Sequence, residues 1–252
     1  MRSLTLTALE GIPEVQAGDD LAAVILAALG GAGVVLEAAD VLVVAQKIVS
    51  KSEGRTVALA SMTPSPRAIE LAKITGKDPR LVELILSESK TVLRAKRDVI
   101  IVEHRLGYVM ASAGIDQSNV GQGGEFALLL PLDPDASCER LRVLLRASTG
   151  IDTGVVINDS VGRAWRNGTV GMALGLAGLP GLLDLRGRPD RFGKKLLITQ
   201  VGVADEIAAA ASLLMGQADE SCPVVHVRGV PYARREGSGR ELLRPKNEDL
   251  FR

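Results

Sequence analysis

Two apolar, strand-like runs that each end on an aspartate place the strongest constraint on how this chain folds. The run YVMASAGI leads into Asp116, and the run GVVIN leads into Asp159. Both runs are predicted to be strands. A carboxylate at the exit of a strand is held on a rigid element and points into a crevice. The two aspartates are therefore predicted to lie at strand ends and to face an open space.

Polar side chains beside these aspartates predict a metal–phosphate site. Ser160 adds a hydroxyl next to the second aspartate, and Asn119 adds an amide shortly after the first. Oxygen ligands suit a hard divalent cation, which keeps some waters for a phosphate. Arg163 and Arg166 follow, and guanidinium groups bind phosphates and carboxylates well. The alternative is that each aspartate only forms a turn or caps a helix, which is more common for an aspartate after a strand than binding a metal.

Strands and helices are predicted in a mixed order, which favours an α+β fold over a doubly wound sheet. Apolar spacing predicts helices, the first of them capped by Asp19 or Asp20, at 21–29, 67–76, 79–90, 135–145 and 206–216. Strands are predicted at 4–11, 41–51, 55–59, 154–159, 194–205 and 221–229, with a hairpin over 98–116 that turns near 105–107. The glycine-rich stretch 168–193 has two interpretations: a helix packed closely against a strand and followed by a mobile loop, or plain helix–sheet packing.

The charge balance and the scarcity of aromatic residues argue against a general nucleic-acid binder. The 252 residues include 30 bases and 30 acids, whereas such a binder normally has a basic surface. Aromatic residues make up only 2%, so there is no series of rings on which bases could stack. The core must therefore consist of Ala, Val, Leu and Ile.

The cysteines and the apolar segments predict a cytoplasmic protein. Cys138 and Cys222 have no CxxC spacing, so neither a disulfide framework nor a zinc site is expected and a reducing compartment is favoured. Both are expected to be small buried residues. No signal peptide and no apolar run of about 18 residues is present, so neither secretion nor a membrane span is predicted.

Several common catalytic motifs are missing from the sequence. There is no GxxxxGK[ST], the GGAG at 30–33 lacks the dinucleotide spacing, and there is no GxSxG. The two histidines are His104, expected to be exposed near a turn, and His226, expected to be structural in an apolar strand. A Ser–His–Asp site is therefore not predicted.

The chain resembles the coenzyme F420-0:L-glutamate ligases, or γ-glutamyl ligases, in their stand-alone form. The resemblance covers nearly the whole length, and the ordered motifs are GIPEVQAGDDL at 11–21, VVAQKIVSKSEGR at 43–55, GIDQSNVG at 114–121, NDSVGRAWRNG at 158–168, LLITQVGVADEIAAAA at 196–211, PVVHVRG at 223–229 and the terminal RPKNEDLFR. A series of long motifs in one order is far more specific than any one of them.

The resemblance implies a GTP-dependent ligase that joins L-glutamate to the lactyl-phosphate carboxylate of coenzyme F420-0, with possible extension by γ-linked glutamates. It implies a family-specific α+β fold with mixed sheets and packed helices, and an intertwined homodimer. It also implies Mg²⁺ or Mn²⁺, with a monovalent cation such as K⁺ as a further candidate. The ligase domain would span 1–229, with room for two subdomains. The charged tail, 230–252, would be either disordered or an arm that docks on a partner.

The resemblance also assigns roles to individual residues. The implied metal ligands are Asp116, Asp159, Ser160 and Gln217. The implied GTP contacts are Ile12, Pro13, Glu14, Val15, Gln46, Lys51, Asn119 and Gln217. Gln46 occupies a position that is often Ser in relatives, so its longer side chain could reach a different group. Without the resemblance, Lys51 could equally be a solvated lysine at a strand end.

Two arginines and a tryptophan that follow Asp159 are further candidates for the site. Arg163, with the aspartates, is a candidate for catalysis, and Arg163 and Arg166 could bind the substrate's phosphate or carboxylates. Trp165 could stack on a flat ring or anchor a core or interface. Two other functions stay open: a GTP-dependent glutamate ligase for another acid or a variant deazaflavin, such as one with a phosphoglycerate side chain, and a non-catalytic nucleotide-binding module.

Overall fold

The computed structural model of the chain describes residues 3–118 and 124–250 and confirms a mixed α+β architecture. The helices of the described residues are α1 (Leu21–Gly31), α2 (Gln46–Ser52), α3 (Pro66–Thr75), α4 (Pro79–Ser87), α5 (Pro134–Thr149) and α6 (Val203–Met215). The strands are β1 (Thr5–Ala8), β2 (Val41–Ala45), β3 (Thr56–Ala58), β4 (Ser89–Lys96), β5 (Val99–His104), β6 (Val109–Ala111), β7 (Phe126–Leu128), β8 (Gly154–Gly162), β9 (Thr169–Ala177), β10 (Leu183–Asp184), β11 (Gln200–Val201) and β12 (Val224–Arg228).

A central sheet with the strand order β1-β12-β2-β8-β9 forms the body of the molecule. Its third and fourth strands, β2 and β8, are parallel, and all other neighbours are antiparallel. Ala45, the last residue of β2, is paired with Asn158 of β8. The residues that follow these two, Gln46 and Asp159, therefore start from the same edge of the sheet.

Helices cover both faces of this sheet. The apolar residues of β2 alternate between the two faces: Leu42 and Val44 belong to a core shared with α1 and α5, and Val41 and Val43 to a core shared with α6. These β-branched and leucine side chains are fully buried. The buried strands thus provide the rigid support on which the residues after them are held.

A second group of elements has its own hydrophobic core. Helices α3 and α4 pack against the small sheet β4-β5-β6 and the ribbon β3-β7, around side chains such as Leu71, Ile85 and Ile100. Asp116 is anchored to this group, because its backbone N–H and C=O exchange hydrogen bonds of 3.0 and 2.8 Å with Leu128 of β7.

The two aspartates do not stand at strand ends as the sequence suggested. Asp159 lies inside β8, which continues to Gly162, and it is paired with Met172 of β9. Asp116 lies beyond β6 and a 3₁₀ turn at Ser112–Gly114. Pairing with β9 carries β8 past Asp159, and the positive φ angles of Ser112 and Ala113 end β6 before Asp116. The local apolar pattern showed neither feature.

Other local predictions were also wrong. The predicted strand 41–51 ends at Ala45, where α2 begins, and the predicted helix in 168–193 is instead the strand β9. The predicted strand 194–205 reduces to β11, and β4 was missed because its alternating residues are mostly polar. The other predicted helices and strands, including the hairpin β5–β6 and the N-cap Asp20 of α1, are confirmed within a few residues, whereas the short strands β7 and β10 were not predicted.

The histidines and the tail also differ from expectation. His104 is fully buried rather than exposed, whereas His226 is buried as predicted. The tail after Gly229 packs on its own chain: Arg234 Nη2 lies 2.7 Å from Asp152 Oδ2, and Ser238 Oγ donates to Asp135.

Neither cysteine forms a disulfide within the residues that the structure describes. Both cysteines are free; Cys138 is buried as expected, but the expectation for Cys222 was wrong, because this residue is partly exposed. No helix in residues 3–118 and 124–250 has the length and apolarity to cross a membrane.

Candidate functional site

A cavity of about 660 Å³ opens where β2 ends. Its walls come from the turn before α1, from α2, from the segment around Asp116, from the middle of β8 and from the loop that follows α6. The lining residues that were predicted to bind metal or nucleotide are Ile12, Pro13, Glu14, Val15, Gln46, Lys51, Asp116, Asp159, Ser160 and Gln217. Residues that are far apart in the chain and were predicted to bind metal or nucleotide thus share one cavity.

Helix α2 brings two lysines to this cavity. Lys47 and Lys51 are four residues apart, so they lie one above the other on the same face of the helix. Lys51 forms an ion pair with Glu14 on the opposite wall. Its side chain is only 13% exposed, so it is not the solvated surface lysine of the alternative interpretation.

Asp116 is ionised and already has partners. Its Oδ2 lies 2.7 Å from Lys47 Nζ, and its Oδ1 accepts hydrogen bonds of 2.6 and 2.7 Å from the N–H and hydroxyl of Ser118. Burial acts to raise the pKa of Asp116, but the hydrogen bonds and charge of Lys47 and the hydrogen bonds of Ser118 lower it below its usual value. The carboxylate is therefore a fixed negative charge on the cavity wall.

Asp159 is in the opposite electrostatic situation. Burial, with the nearby negative charge of Asp116, raises its pKa to about 6, although the N–H of Ser160 and the charge of Lys47 oppose the shift. The Ser160 N–H donates to Asp159 Oδ1 over 2.8 Å. The two carboxylates are close enough to affect each other's ionisation, and one lysine does not balance both charges.

This donor set fits a hard divalent cation. The described ranges contain no cluster of three or more His, Cys, Asp or Glu side chains that could hold a metal. A cation bound by Asp116 and Asp159 would therefore complete its coordination with the Ser160 hydroxyl, water or phosphate oxygens, as Mg²⁺ does. Zinc, which prefers imidazole and thiolate ligands, fits poorly.

Gln46 uses its side-chain amide within the protein. The residue is 3% exposed, and its Nε2 donates to Ser50 Oγ over 2.6 Å and to the Leu129 carbonyl over 3.3 Å. The different group that the longer side chain could reach is thus in the second group of elements. Its predicted contact with GTP stays a prediction.

The loop after α6 forms one wall of the cavity. Gly216 ends the helix with a positive φ of 72°, and Gln217 to Cys222 follow along the cavity. Gln217 therefore shares the cavity with both aspartates. Asp219 and Glu220 are also in this wall, and nothing in the sequence analysis singled them out.

The arginines and the tryptophan that follow β8 lie elsewhere. Arg163, Trp165 and Arg166 are in the connection between β8 and β9, and they are not among the residues that line the cavity. Arg163 donates to the Asn167 carbonyl over 3.2 Å. Trp165 is 86% exposed, so it does not anchor the core of this chain. Asn119 lies outside the described residues.

Sequence reasoning missed Lys47, which forms an ion pair with Asp116. The available signal was the spacing of Lys47 and Lys51, which places both on one face of a helix. Because 41–51 was interpreted as one continuous strand, the four-residue spacing did not indicate a shared helix face. Asn158, buried at the same level of the sheet, was missed as well.

Comparison with known proteins gives a consistent result along the chain. A family model described as F420-0:Gamma-glutamyl ligase matches residues 11–229. The coenzyme F420:L-glutamate ligase of Methanothermobacter thermautotrophicus is 48% identical over 251 residues, which cover 99% of each chain. The proteins of the same name from Methanopyrus kandleri and Methanocaldococcus jannaschii are each 44% identical, over 100% and 86% of both chains.

Proposed function

Because the chain belongs to the F420-0:γ-glutamyl ligase family and is an enzyme of the ligase class, we propose that it joins L-glutamate to coenzyme F420-0 by an amide bond. The observation that carries this proposal is the 48% identity over 99% of a ligase of that name. The cavity supports it, because Asp116 and Asp159 face one space large enough for substrate phosphates and carboxylates.

The reaction needs an activated carboxyl group. A carboxylate does not condense with an amine in water, because its oxygen is a poor leaving group. We propose that the γ-phosphoryl group of GTP is transferred to the carboxylate of the lactyl-phosphate side chain, which gives an acyl phosphate and GDP. The amine of glutamate then attacks the acyl carbon, and phosphate leaves as the amide forms.

The cavity residues have complementary roles in this scheme. A divalent cation, Mg²⁺ or Mn²⁺, would neutralise phosphate charge when bound. Asp116 and Asp159 would hold it, helped by the Ser160 hydroxyl and the Gln217 amide. Lys51 would face a phosphate, and the turn Ile12–Val15 would contact the guanine nucleotide.

A homodimer is part of the proposal. Large apolar side chains are exposed on the β8–β9 connection, on the segment between β10 and β11, and near the end of α6: Trp165, Phe192, Leu197, Ile198 and Leu213, each at least 77% exposed. So much exposed apolar surface on separate segments is typical of a surface buried on association. Ile198→Glu should shift the protein from dimer to monomer in light scattering, and unchanged mass would contradict an interface at Ile198.

Mass spectrometry of a defined reaction tests the proposed activity. The purified protein is incubated with coenzyme F420-0, L-glutamate, GTP, K⁺ and either Mg²⁺ or Mn²⁺. We expect products that are heavier by one or more glutamyl units, and their masses also count the residues added. Reactions without GTP, with ATP in its place, or with the Asp159→Asn variant are the controls.

The outcomes separate the remaining functions. A product that does not depend on GTP would contradict phosphoryl activation by this nucleotide. No product from coenzyme F420-0, with product from a deazaflavin bearing phosphoglycerate, would assign the variant substrate. Binding of GTP without any product would favour a non-catalytic module, against which the presence of both aspartates argues.

A further inference from the structure

We propose that Lys47 is a resident counter-ion of Asp116 that a divalent cation displaces, and that the released ammonium group then binds a phosphate of the nucleotide. This inference rests on the proposed function, because it assigns a positioning role within the same cavity. It makes Lys47, rather than Lys51 alone, a determinant of metal and nucleotide binding.

The contacts of Lys47 occupy its whole hydrogen-bonding capacity. Its Nζ lies 2.7 Å from Asp116 Oδ2, 3.1 Å from the Ser118 carbonyl and 3.0 Å from the Ser118 hydroxyl. An ammonium group has three N–H donors, so these three acceptors satisfy it completely. The lysine is therefore specifically bound to the aspartate segment, not loosely directed toward the cavity.

The same ammonium group acts on both carboxylates. Its positive charge favours the ionised form of Asp116, with which it is in contact, and of Asp159. It thus supplies part of the positive charge that a metal ion would supply. The exchange leaves the aspartates with a cation at every stage.

A metal ion on Asp116 Oδ2 would compete with Lys47 for that oxygen. Two cations in contact with one oxygen would lie within a few ångströms of each other and repel strongly in a partly buried site. Two carboxylates and one lysine carry one net negative charge. Adding a divalent ion changes the net charge of the group to plus one. The phosphates of the nucleotide compensate this excess when the ammonium group leaves Asp116 and binds them.

Lys51 provides a matched comparison. It is on the same helix, lines the same cavity and has the same charge, but its partner is Glu14 on the other wall. Removing Lys51 changes the charge of the cavity without freeing Asp116. A difference between the two variants therefore isolates the contact with Asp116.

The test measures Mn²⁺ binding, without nucleotide, by titration calorimetry. For Lys47→Met we expect Mn²⁺ to bind about tenfold more tightly than to the wild type, which corresponds to about 1.4 kcal/mol. For Lys51→Met the change should be smaller, within about threefold. Binding of a non-hydrolysable GTP analogue with Mg²⁺ should become about tenfold weaker in Lys47→Met, because a phosphate loses its cation.

A second variant and a folding control keep the test decisive. Lys47→Arg keeps the charge and can still pair with Asp116, so its Mn²⁺ affinity should stay near that of the wild type. Thermal unfolding confirms that each variant is folded. Equal or weaker Mn²⁺ binding by folded Lys47→Met would overturn the exchange.

The wild-type ligase assay separates this inference from the proposed function. Glutamate ligation by the wild type with unchanged Mn²⁺ affinity in Lys47→Met would leave the function standing and overturn the exchange. Tighter Mn²⁺ binding by Lys47→Met, with no glutamylated product from the wild type, would support the exchange and contradict the function.

Discussion

Two ionic clusters on the central sheet have opposite character. In the first, Asp40 lies just before β2, is 2% exposed, and accepts hydrogen bonds of 2.9 and 2.7 Å from Arg228; His226 Nε2 lies 2.8 Å away. In the second, Asp116 and Asp159 lie at the other end of β2 and face a cavity. Asp40 is buried and surrounded by partners, whereas Asp116 and Asp159 are partly exposed to the cavity. Asp116 pairs with Lys47, but within the described residues Asp159 forms no ion pair.

The pKa values record this difference. Burial raises the pKa of Asp40, but Arg228 and His226 outweigh it and the net shift is downward. For Asp159 burial prevails, and the pKa rises to about 6. A buried carboxylate with enough partners stabilises a fold, whereas one with too few next to a cavity is suited to binding a cation that comes from outside.

Replacement of Asp159 should break the comparison most strongly. Asp159→Asn removes a charge that we propose binds the metal, and we expect glutamate ligation to fall by at least about a hundredfold, since even outer partners of a metal are worth ~10–100-fold. Stability should not fall, because an amide avoids the burial of a charge with few partners. Initial rates and thermal unfolding check both effects.

Asp116→Asn tests the second of the two cavity aspartates in the same way. It should also keep the fold and lose most activity. Normal turnover of Asp116→Asn at limiting metal would contradict the assignment of this residue as a metal ligand.

Replacement of Asp40 should have the reverse pattern. Asp40→Ala leaves Arg228 and His226 without their common partner, and we expect the free energy of unfolding to fall by about 3–5 kcal/mol. The kcat of the protein that remains folded should not change, because Asp40 is not in the cavity. Urea unfolding and rates normalised to folded protein measure the two effects, and a loss of kcat would contradict the separation of the clusters.

Glu88, which follows α4, provides a pH test of a carboxylate that, like Asp40, is surrounded by basic side chains. Burial raises its pKa, but His104, Arg105 and Arg55 outweigh this and lower the pKa from 4.5 to about 2. The ionised carboxylate therefore stabilises the fold fully above about pH 4.5, and this stabilisation is lost as the pH falls toward 2.

The variant Glu88→Gln should lack that contribution, on the order of 2–3 kcal/mol at pH 7. Its unfolding free energy should also vary less with pH between 4.5 and 2 than that of the wild type. Parallel pH dependence in the two proteins would show that Glu88 does not contribute in this way.

Arg163 should give the smallest effect and sharpen the boundary of the site. Because Arg163 does not line the cavity, Arg163→Ala should raise the apparent KM or lower kcat by only about three- to tenfold, the range of one exposed charged contact. Steady-state kinetics for the deazaflavin and for glutamate would locate the effect. Wild-type kinetics would remove Arg163 from the site.

Elements with strong local signals could be predicted from the sequence. Asp20 caps α1, Pro66 and Pro79 open α3 and α4, and Gly216 ends α6, because these residues act on the adjacent backbone. Strands that depend on a distant partner could not. The polar end of β8 and the glycine-rich β9 are strands because they pair with each other.

The candidate site shows the same division. The aspartates could be selected from the chemistry of their side chains, and the resemblance added Gln217 and the turn at 12–15, which the cavity brings together. Lys47 was not selected, because the meaning of its spacing from Lys51 depends on where β2 ends and α2 begins. The contact of Lys47 with Asp116 joins residues from two separate parts of the fold.

The glycine at position 171 of β9 sets the width of this cavity without lining it. A methyl group there would come within 2.4 Å of the Ala208 carbonyl of α6 and 2.6 Å of Asn158 Oδ1. The helix can therefore rest directly on the backbone of the strand, and its last turn holds the loop from Gly216 at a fixed height above Asp159. A single added carbon at position 171 would push α6 away from β9. The distance between Asp159 and the loop that follows α6 therefore depends on the missing side chain of Gly171.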